Sequence, residues 1–160
     1  DYFAQCPGWN GGDYYDGEPG GGVVAMLAKQ RVETLRGYGV DRALLDQLGS
    51  EEAATAALEK RGRDWSAQFD ANALIVLRKA AVLFNAWDNA ANIKAPLLYV
   101  LSNTDKRFPA GELAEPTMTH LKASGVDAAY VEIDSPYGHL APTEDWQKWA
   151  PALKNFLEGR

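Results

Sequence analysis

Several features that mark other protein classes are scarce in this chain of 160 residues. Its one cysteine, Cys6, permits no internal disulfide, and one cysteine with two histidines is too few for a structural zinc site. No apolar run approaches the roughly 20 residues that span a bilayer. The 16 basic residues form no cluster and are outnumbered by 22 acidic ones, which argues against a nucleic-acid interface. With no signal-peptide pattern, we expect a cytoplasmic, acidic, globular protein that acts on small molecules or on another protein.

The first half of the chain carries no strand pattern. Residues 1–22 hold seven of the 15 glycines and are predicted to form a connecting loop. Residues 23–92 are predicted to be helical, with helices over Val23–Tyr38 and Ala43–Leu48 and a third that starts at Ser50 and stops at Gly62. Asp70 is predicted to cap a fourth helix. One face of that helix is expected to be buried, on the spacing of Ala73, Val76, Leu77, Ala80, Phe84 and Trp87.

Residues 93–160 switch to a strand–helix–strand–helix pattern, which is typical of a parallel α/β sheet. The strands are expected at 97–101 and 128–133, with Pro116 in the first turn of the helix between them. Thr143 is predicted to cap the last helix, which Pro151 interrupts. Two strands cannot form a stable parallel sheet alone. We therefore expect the C-terminal part of a larger α/β fold, its other strands supplied by another chain or a missing N-terminal segment. The alternative is a small helical domain with a two-stranded appendage.

Two titratable residues follow the predicted strands. Asp105 comes after the first strand and His139 after the second, and the carboxyl ends of parallel strands share one edge. An acid followed by a histidine is the second half of a nucleophile–acid–histidine triad in the chain order of the α/β-hydrolases. No serine in a G-x-S-x-G context occurs in the 160 residues, so the nucleophile is expected elsewhere.

Other polar residues have simpler interpretations. Asp134 is a rival acid, but it shares a loop with His139 and could merely close that turn. His120 is predicted to be a surface or packing residue, and Cys6 a bystander because no helix start or basic neighbour activates it. The glycines from Gly17 to Gly22 lack the strand and the lysine of a phosphate-binding loop.

Five segments, taken in order, resemble the C-terminal half of the homoserine O-acetyltransferase-like α/β-hydrolases. They are Trp9-Asn-Gly-Gly-Asp-Tyr-Tyr15, Phe69-Asp-Ala-Asn72, Ile93-Lys-Ala-Pro96, the Asp105 loop with Phe108-Pro109, and Val131-Glu-Ile-Asp-Ser-Pro-Tyr-Gly-His139. The resemblance implies an eight-stranded sheet, a helical lid over residues 23–92, a hydrolase core from residue 93, and a serine nucleophile upstream. It assigns the triad acid to Asp105 and the base to His139.

Two departures from the family pattern bear on the reaction. Members that acetylate homoserine carry an Asp after the histidine and an Arg on the first lid helix. Here Leu140 follows the histidine, and Leu27 stands near the position of that Arg, with Lys29 and Arg31 close but not in register. An acceptor pocket without these charges suits a less polar alcohol or water, because an unpaired buried group costs about 1–3 kcal/mol. We therefore favour carboxylic ester hydrolysis, with homoserine acetylation or a non-catalytic binding subunit as alternatives.

The resemblance also carries expectations about partners. A companion N-terminal chain would supply the serine, the substrate would be a small ester or alcohol, and the assembled unit could be a homodimer. No metal or cofactor is expected, except acetyl-CoA as acyl donor if the protein is a transferase. The substrate pocket is expected to be shaped by Trp65, Phe69, Leu74, Trp87 and Leu140.

Overall fold

The computed structural model describes residues 2–17 and 21–159. Residues 1 and 18–20 of the predicted loop 1–22, and residue 160 of the predicted core segment 93–160, lie outside the described residues. The chain forms two compact units. The first contains the chain up to Arg36 and Ala43–Phe84, and the second contains Gly37–Arg42 and the chain from Asn85 onward. Among the described helices, none is both long and apolar enough to span a bilayer.

Four helices account for most of the chain before Asn85. They are α1 (Gly22–Gly37), α2 (Val40–Leu48), α3 (Glu51–Ser66) and α4 (Ala71–Leu83). The Ser50 Oγ accepts a hydrogen bond from the N–H of Ala53 at 3.2 Å and caps α3. Asp70 Oδ1 accepts one from the N–H of Ala73 at 2.7 Å and caps α4, which confirms the predicted cap.

Gly62 does not end a helix, and that prediction was wrong. The α3 helix runs through it to Ser66, and a Cβ added at Gly62 would lie 2.7 Å from Val32 Cγ2 and 2.9 Å from the carbonyl oxygen of Ala28. The glycine is buried against α1. Sequence alone cannot separate a glycine that ends a helix from one that lets two helices approach closely.

The predicted buried face of α4 is not buried within this chain. Val76, Leu77 and Phe84 are 64%, 57% and 77% exposed, and Leu83 is 83% exposed. The helix also ends at Leu83, so Trp87 belongs to a separate 3-10 helix, Trp87–Asn92. The apolar periodicity identifies a face that needs a partner, but it does not reveal whether this chain supplies one.

The first unit has a small core, to which the glycine-rich residues 1–22 and the helices α1 and α4 contribute. Phe3, Cys6, Val23, Leu27 and Ala71 are buried together. Cys6 therefore packs in this core, and its lack of a chemical role stays a prediction. The described part of the predicted loop contains one short 3-10 helix, Asn10–Gly12.

The second unit contains a parallel sheet of two strands, β1 (Leu97–Ser102) and β2 (Ala128–Ile133). Leu97 pairs with Ala128 and Ser102 with Ile133, so both strands end at the same edge. The crossover helix is α5 (Ala110–Ala123), and α6 (Ala141–Glu144) and α7 (Ala150–Glu158) follow β2. The predicted partial α/β fold is thus present, with two adjacent strands whose carboxyl ends point the same way.

Two details of these helices differ from prediction. Pro116 lies inside α5 rather than in its first turn, at an exposed position where a lost helix hydrogen bond can be replaced by water. Thr143 is not an N-cap, since its Oγ1 donates to the carbonyl oxygen of Leu140 at 2.8 Å from within α6. Pro151 stands in the first turn of α7, in agreement with the predicted interruption.

Candidate active site

The loops that follow β1 and β2 are joined by side chains at the edge of the sheet. Asn103 Nδ2 donates to Asp134 Oδ1 at 2.7 Å, and Asn103 Oδ1 accepts from the N–H of Ser135 at 3.1 Å. Thr104 Oγ1 donates to the Ser135 carbonyl oxygen and accepts from the N–H of Gly138 at 3.1 Å. These contacts hold the loop that carries Asp105 against the loop that carries His139.

Asp105 and His139 meet at this edge. The Nδ1 of His139 lies 2.8 Å from Asp105 Oδ2, and the Asp105 side chain is 5% exposed against 35% for His139. The other carboxylate oxygen, Oδ1, accepts from the N–H groups of Arg107 at 2.7 Å and Phe108 at 3.2 Å. An ionised carboxylate can only accept, so Nδ1 carries the proton and the lone pair of the neutral ring lies on Nε2. That nitrogen is the one available to take a proton from a third group.

The surroundings of Asp105 favour its charged form. Burial by itself raises the pKa of this carboxyl, but the hydrogen bond with His139 and those from Arg107 and Phe108 outweigh it. The pKa of Asp105 is consequently held below its usual value. A carboxylate that stays ionised near neutral pH fixes the tautomer of the imidazole and stabilises the imidazolium.

Two aromatic rings hold the imidazole of His139. The ring centre of Tyr38 lies 4.8 Å from that of His139, and the ring centre of Phe108 lies 5.5 Å from it. Gly39 makes the approach of Tyr38 possible, because it adopts φ +86° and a Cβ there would lie 2.7 Å from the carbonyl oxygen of Tyr137. Neither Tyr38 nor Arg107 was singled out from the sequence, since no local pattern shows that Tyr38 packs against side chains that are distant in the sequence.

The rival candidates have other partners. The Asp134 carboxylate is bound by Asn103, and its backbone carbonyl oxygen accepts from Lys148 Nζ at 2.6 Å. His120 stacks on Trp87 with ring centres 3.9 Å apart, and its Nε2 lies 2.9 Å from the Trp87 carbonyl oxygen. His120 is therefore a packing residue, as predicted, and Trp87 is its partner.

The predicted pocket residues fall in both units. Trp65 and Phe69 stack with ring centres 4.4 Å apart, and together with Leu74 they pack against the core of the first unit. Leu140 follows His139 within the 3-10 helix Gly138–Leu140 of the second unit and is half-buried. Their contact with a substrate remains a prediction. In the described part of the chain, no three His, Cys, Asp or Glu side chains group closely enough to hold a metal ion.

The chain is detectably similar to several known proteins. No protein-family model matches the chain. It is 32% identical over 174 aligned positions to a homoserine O-acetyltransferase of Symbiobacterium thermophilum, an alignment that covers 95% of this chain and 44% of that protein. It is 29% identical to a serine O-succinyltransferase of Stenotrophomonas maltophilia, covering 95% of this chain and 46% of the relative.

Solved structures show the same fold. Esterase E22 superimposes with a TM-score of 0.75 at 21% identity, covering 97% of this chain and 47% of the esterase. A homoserine O-acetyltransferase from Bacillus anthracis superimposes with a TM-score of 0.69 at 18% identity, over 94% of this chain and 44% of that one. The chain thus spans a little under half the length of the proteins that it matches. Together these matches show that the chain belongs to the homoserine O-acetyltransferase-like α/β-hydrolases.

Proposed function

We propose that this chain supplies the acid and the base of a serine-hydrolase triad, and that the assembled protein hydrolyses small carboxylic esters through an acyl-enzyme. The observation that carries the proposal is the 2.8 Å contact between Asp105 Oδ2 and His139 Nδ1 at the shared edge of two parallel strands. The family includes both acyltransferases and an esterase, each of which transfers an acyl group.

The chemistry assigns a role to each side chain. A serine hydroxyl attacks the ester carbonyl while its proton passes to Nε2 of His139, and that proton then leaves with the alcohol. Water attacks the acyl-enzyme next, giving its proton to Nε2, and the carboxylic acid departs as the serine is reprotonated. Asp105 holds the imidazole in the required tautomer throughout and stabilises its charged form.

The serine is proposed to come from residues outside this chain. The 160 residues contain no G-x-S-x-G, and the chain spans less than half of its curated relatives. The exposed apolar side chains Val76, Leu77, Leu83 and Phe84 of the α4 region are also consistent with a large missing partner surface. Either a companion chain or another segment of the same polypeptide would meet these requirements.

A serine-directed probe tests the proposal directly. A fluorophosphonate should label the assembled protein on a serine outside residues 1–160, and 4-nitrophenyl butyrate should block that labelling in competition. The extent of fluorophosphonate labelling should fall strongly in a His139→Ala variant, because a serine without a general base is a weak nucleophile. Mass spectrometry of the labelled peptide gives the readout. Absence of labelling on any chain, with the protein folded, would favour a non-catalytic binding role instead.

Leu140 supports hydrolysis over amino-acid acetylation. It adjoins His139 in the same 3-10 helix and brings no charge to the position where homoserine-acetylating members resembling this chain carry Asp. A second candidate function, transfer from acetyl-CoA to homoserine, would lack that partner for the substrate amine. The relatives that are named as acyltransferases support this second candidate function.

Replacing Leu140 by Asp tests the choice between the two reactions. Leu140→Asp should raise the ratio of O-acetylhomoserine to free acetate about tenfold when 4-nitrophenyl acetate and homoserine are supplied together, because a carboxylate pairs with the amine. Leu140→Asn, similar in shape but uncharged, is the control and should leave the ratio nearly unchanged. Chromatographic quantification of both products provides the measurement. Equal ratios in the parent and both variants would contradict a role for this position in acceptor choice.

A further inference from the structure

An arginine stands beside the acid–histidine pair without a carboxylate of its own. The N–H of Arg107 donates to Asp105 Oδ1 at 2.7 Å, so its backbone is fixed by the acid itself. Its exposed guanidinium lies with Cζ 5.5 Å from the ring centre of Tyr38, the same ring that packs on His139. The guanidinium and the imidazole therefore pack on the same aromatic ring.

The backbone of α1 leaves room for this arrangement. A Cβ added at Gly37 would lie 3.6 Å from Nε of Arg107, so the guanidinium passes close over the glycine before it reaches Tyr38. An arginine stacked on an aromatic face keeps its N–H groups directed outward in the plane of the guanidinium. Those groups remain free to bind a second, planar partner.

Within residues 2–17 and 21–159, no carboxylate lies within ion-pair distance of Arg107. The exposed arginines Arg36 and Arg63 do have such partners, in Glu33 and Glu59. The nearest acid along the chain, Asp105, is occupied by His139 and two backbone N–H groups. Arg31, Arg61 and Arg78 also have no such partner in that part of the chain, so Arg107 is distinguished by its position beside Asp105 and Tyr38.

We infer that Arg107 binds a carboxylate on the substrate, so that the ester cleaved at His139 is an anionic one. This inference rests on the proposed function and names its substrate class. A guanidinium matches a carboxylate with two parallel hydrogen bonds, and a lysine cannot reproduce that geometry. The carboxylate can belong to the acyl part, as in a monoester of a dicarboxylic acid, or to the alcohol part, as in an ester of a hydroxy acid.

Two matched pairs of esters separate these sources. Phenyl hydrogen glutarate and phenyl valerate differ by a carboxylate on the acyl side. The esters 4-acetoxybenzoate and methyl 4-acetoxybenzoate differ by one on the alcohol side. The assembled protein is compared with its Arg107→Gln, Arg107→Lys and Lys106→Gln variants, the last removing one exposed positive charge from the adjacent position.

Arg107→Gln should lower kcat/KM for the anionic member of one pair by about tenfold to a hundredfold, mainly through KM. The neutral member should change less than about twofold, Arg107→Lys should recover part of the loss, and Lys106→Gln should leave both members nearly unchanged. Which pair responds identifies the part of the substrate that carries the carboxylate.

Two results would overturn the inference while leaving the proposed function intact. An equal loss for both members of each pair would show that Arg107 only supports Tyr38, and no loss for any ester would show that it has no role. Failure of the unsubstituted protein to hydrolyse all four esters would instead refute the proposed function, and this inference with it.

Discussion

Asp105→Asn should lower kcat for ester hydrolysis by at least a hundredfold in the assembled protein. The amide cannot balance the charge of an imidazolium, and it allows the tautomer with the proton on Nε2, which cannot accept one from serine. His139→Ala should cost at least as much, because it removes the base that contacts the reacting groups. Initial rates with 4-nitrophenyl butyrate at saturating concentration measure both effects.

The losses of kcat in Asp105→Asn and His139→Ala should not be additive in the double variant. Since Asp105 acts only through the ring of His139, the double variant should be about as slow as His139→Ala alone. Glu115→Gln is the matched control, because it makes the same acid-to-amide change at an exposed position of α5 and should matter little to kcat. Urea unfolding of each variant separates lost chemistry from lost folding. Near-full activity in either Asp105→Asn or His139→Ala would refute the triad assignment.

Asp70→Ala should lower the free energy of unfolding by about 2–3 kcal/mol. Its Oδ1 caps α4 through the N–H of Ala73, and its Oδ2 accepts from the hydroxyls of Tyr14 at 2.8 Å and Tyr15 at 3.0 Å. The Tyr14 hydroxyl also accepts from the N–H of Ala71 at 2.8 Å, so one carboxylate organises the start of the helix and the aromatic segment beside it. Chemical denaturation monitored by circular dichroism gives the measurement.

Asp64→Ala is the matched control for this change. It removes a carboxylate of the same unit whose one ion pair, among the residues that the structure describes, is with exposed Lys60 on the surface of α3, so it should cost less than about 0.5 kcal/mol. Equal stability of Asp70→Ala and Asp64→Ala would show that the Asp70 network contributes nothing to folding.

The Asp70 network also predicts a pH dependence. Burial alone raises the pKa of Asp70, but the hydrogen bonds from Ala73, Tyr14 and Tyr15 outweigh it and leave the folded pKa below the unfolded value. The stabilisation is therefore complete above the unfolded pKa, about 3.9, and is lost as the pH falls through the folded pKa. Asp70→Ala should flatten the decline in stability below about pH 4, and an unchanged acid profile would contradict the linkage.

The sequence was sufficient where neighbouring residues determine the structure. Apolar runs after Pro96 and Gly125 predict β1 and β2, and the order of strands and loops places Asp105 and His139 at one edge. The Asp70 cap was predictable for the same reason, since an N-cap depends on residues within one turn.

Prediction failed where the deciding contact is distant in sequence. Nothing near Gly62 reveals that Val32 will pack against it, and nothing near Tyr38 reveals the ring of His139. The periodicity of α4 correctly identified an apolar face, but its exposure depends on which residues cover it, and no local pattern carries that information.

Gly39 limits how sequences of this kind can diverge. Its left-handed backbone and its approach to the Tyr137 carbonyl oxygen leave no space for any side chain, although the residue carries no chemical group. An inherited change at this position would move Tyr38 off the imidazole unless a second change reshaped residues 136–138. Position 39 should consequently tolerate almost no single substitution. Selection for activity would then constrain a residue that takes no part in the reaction.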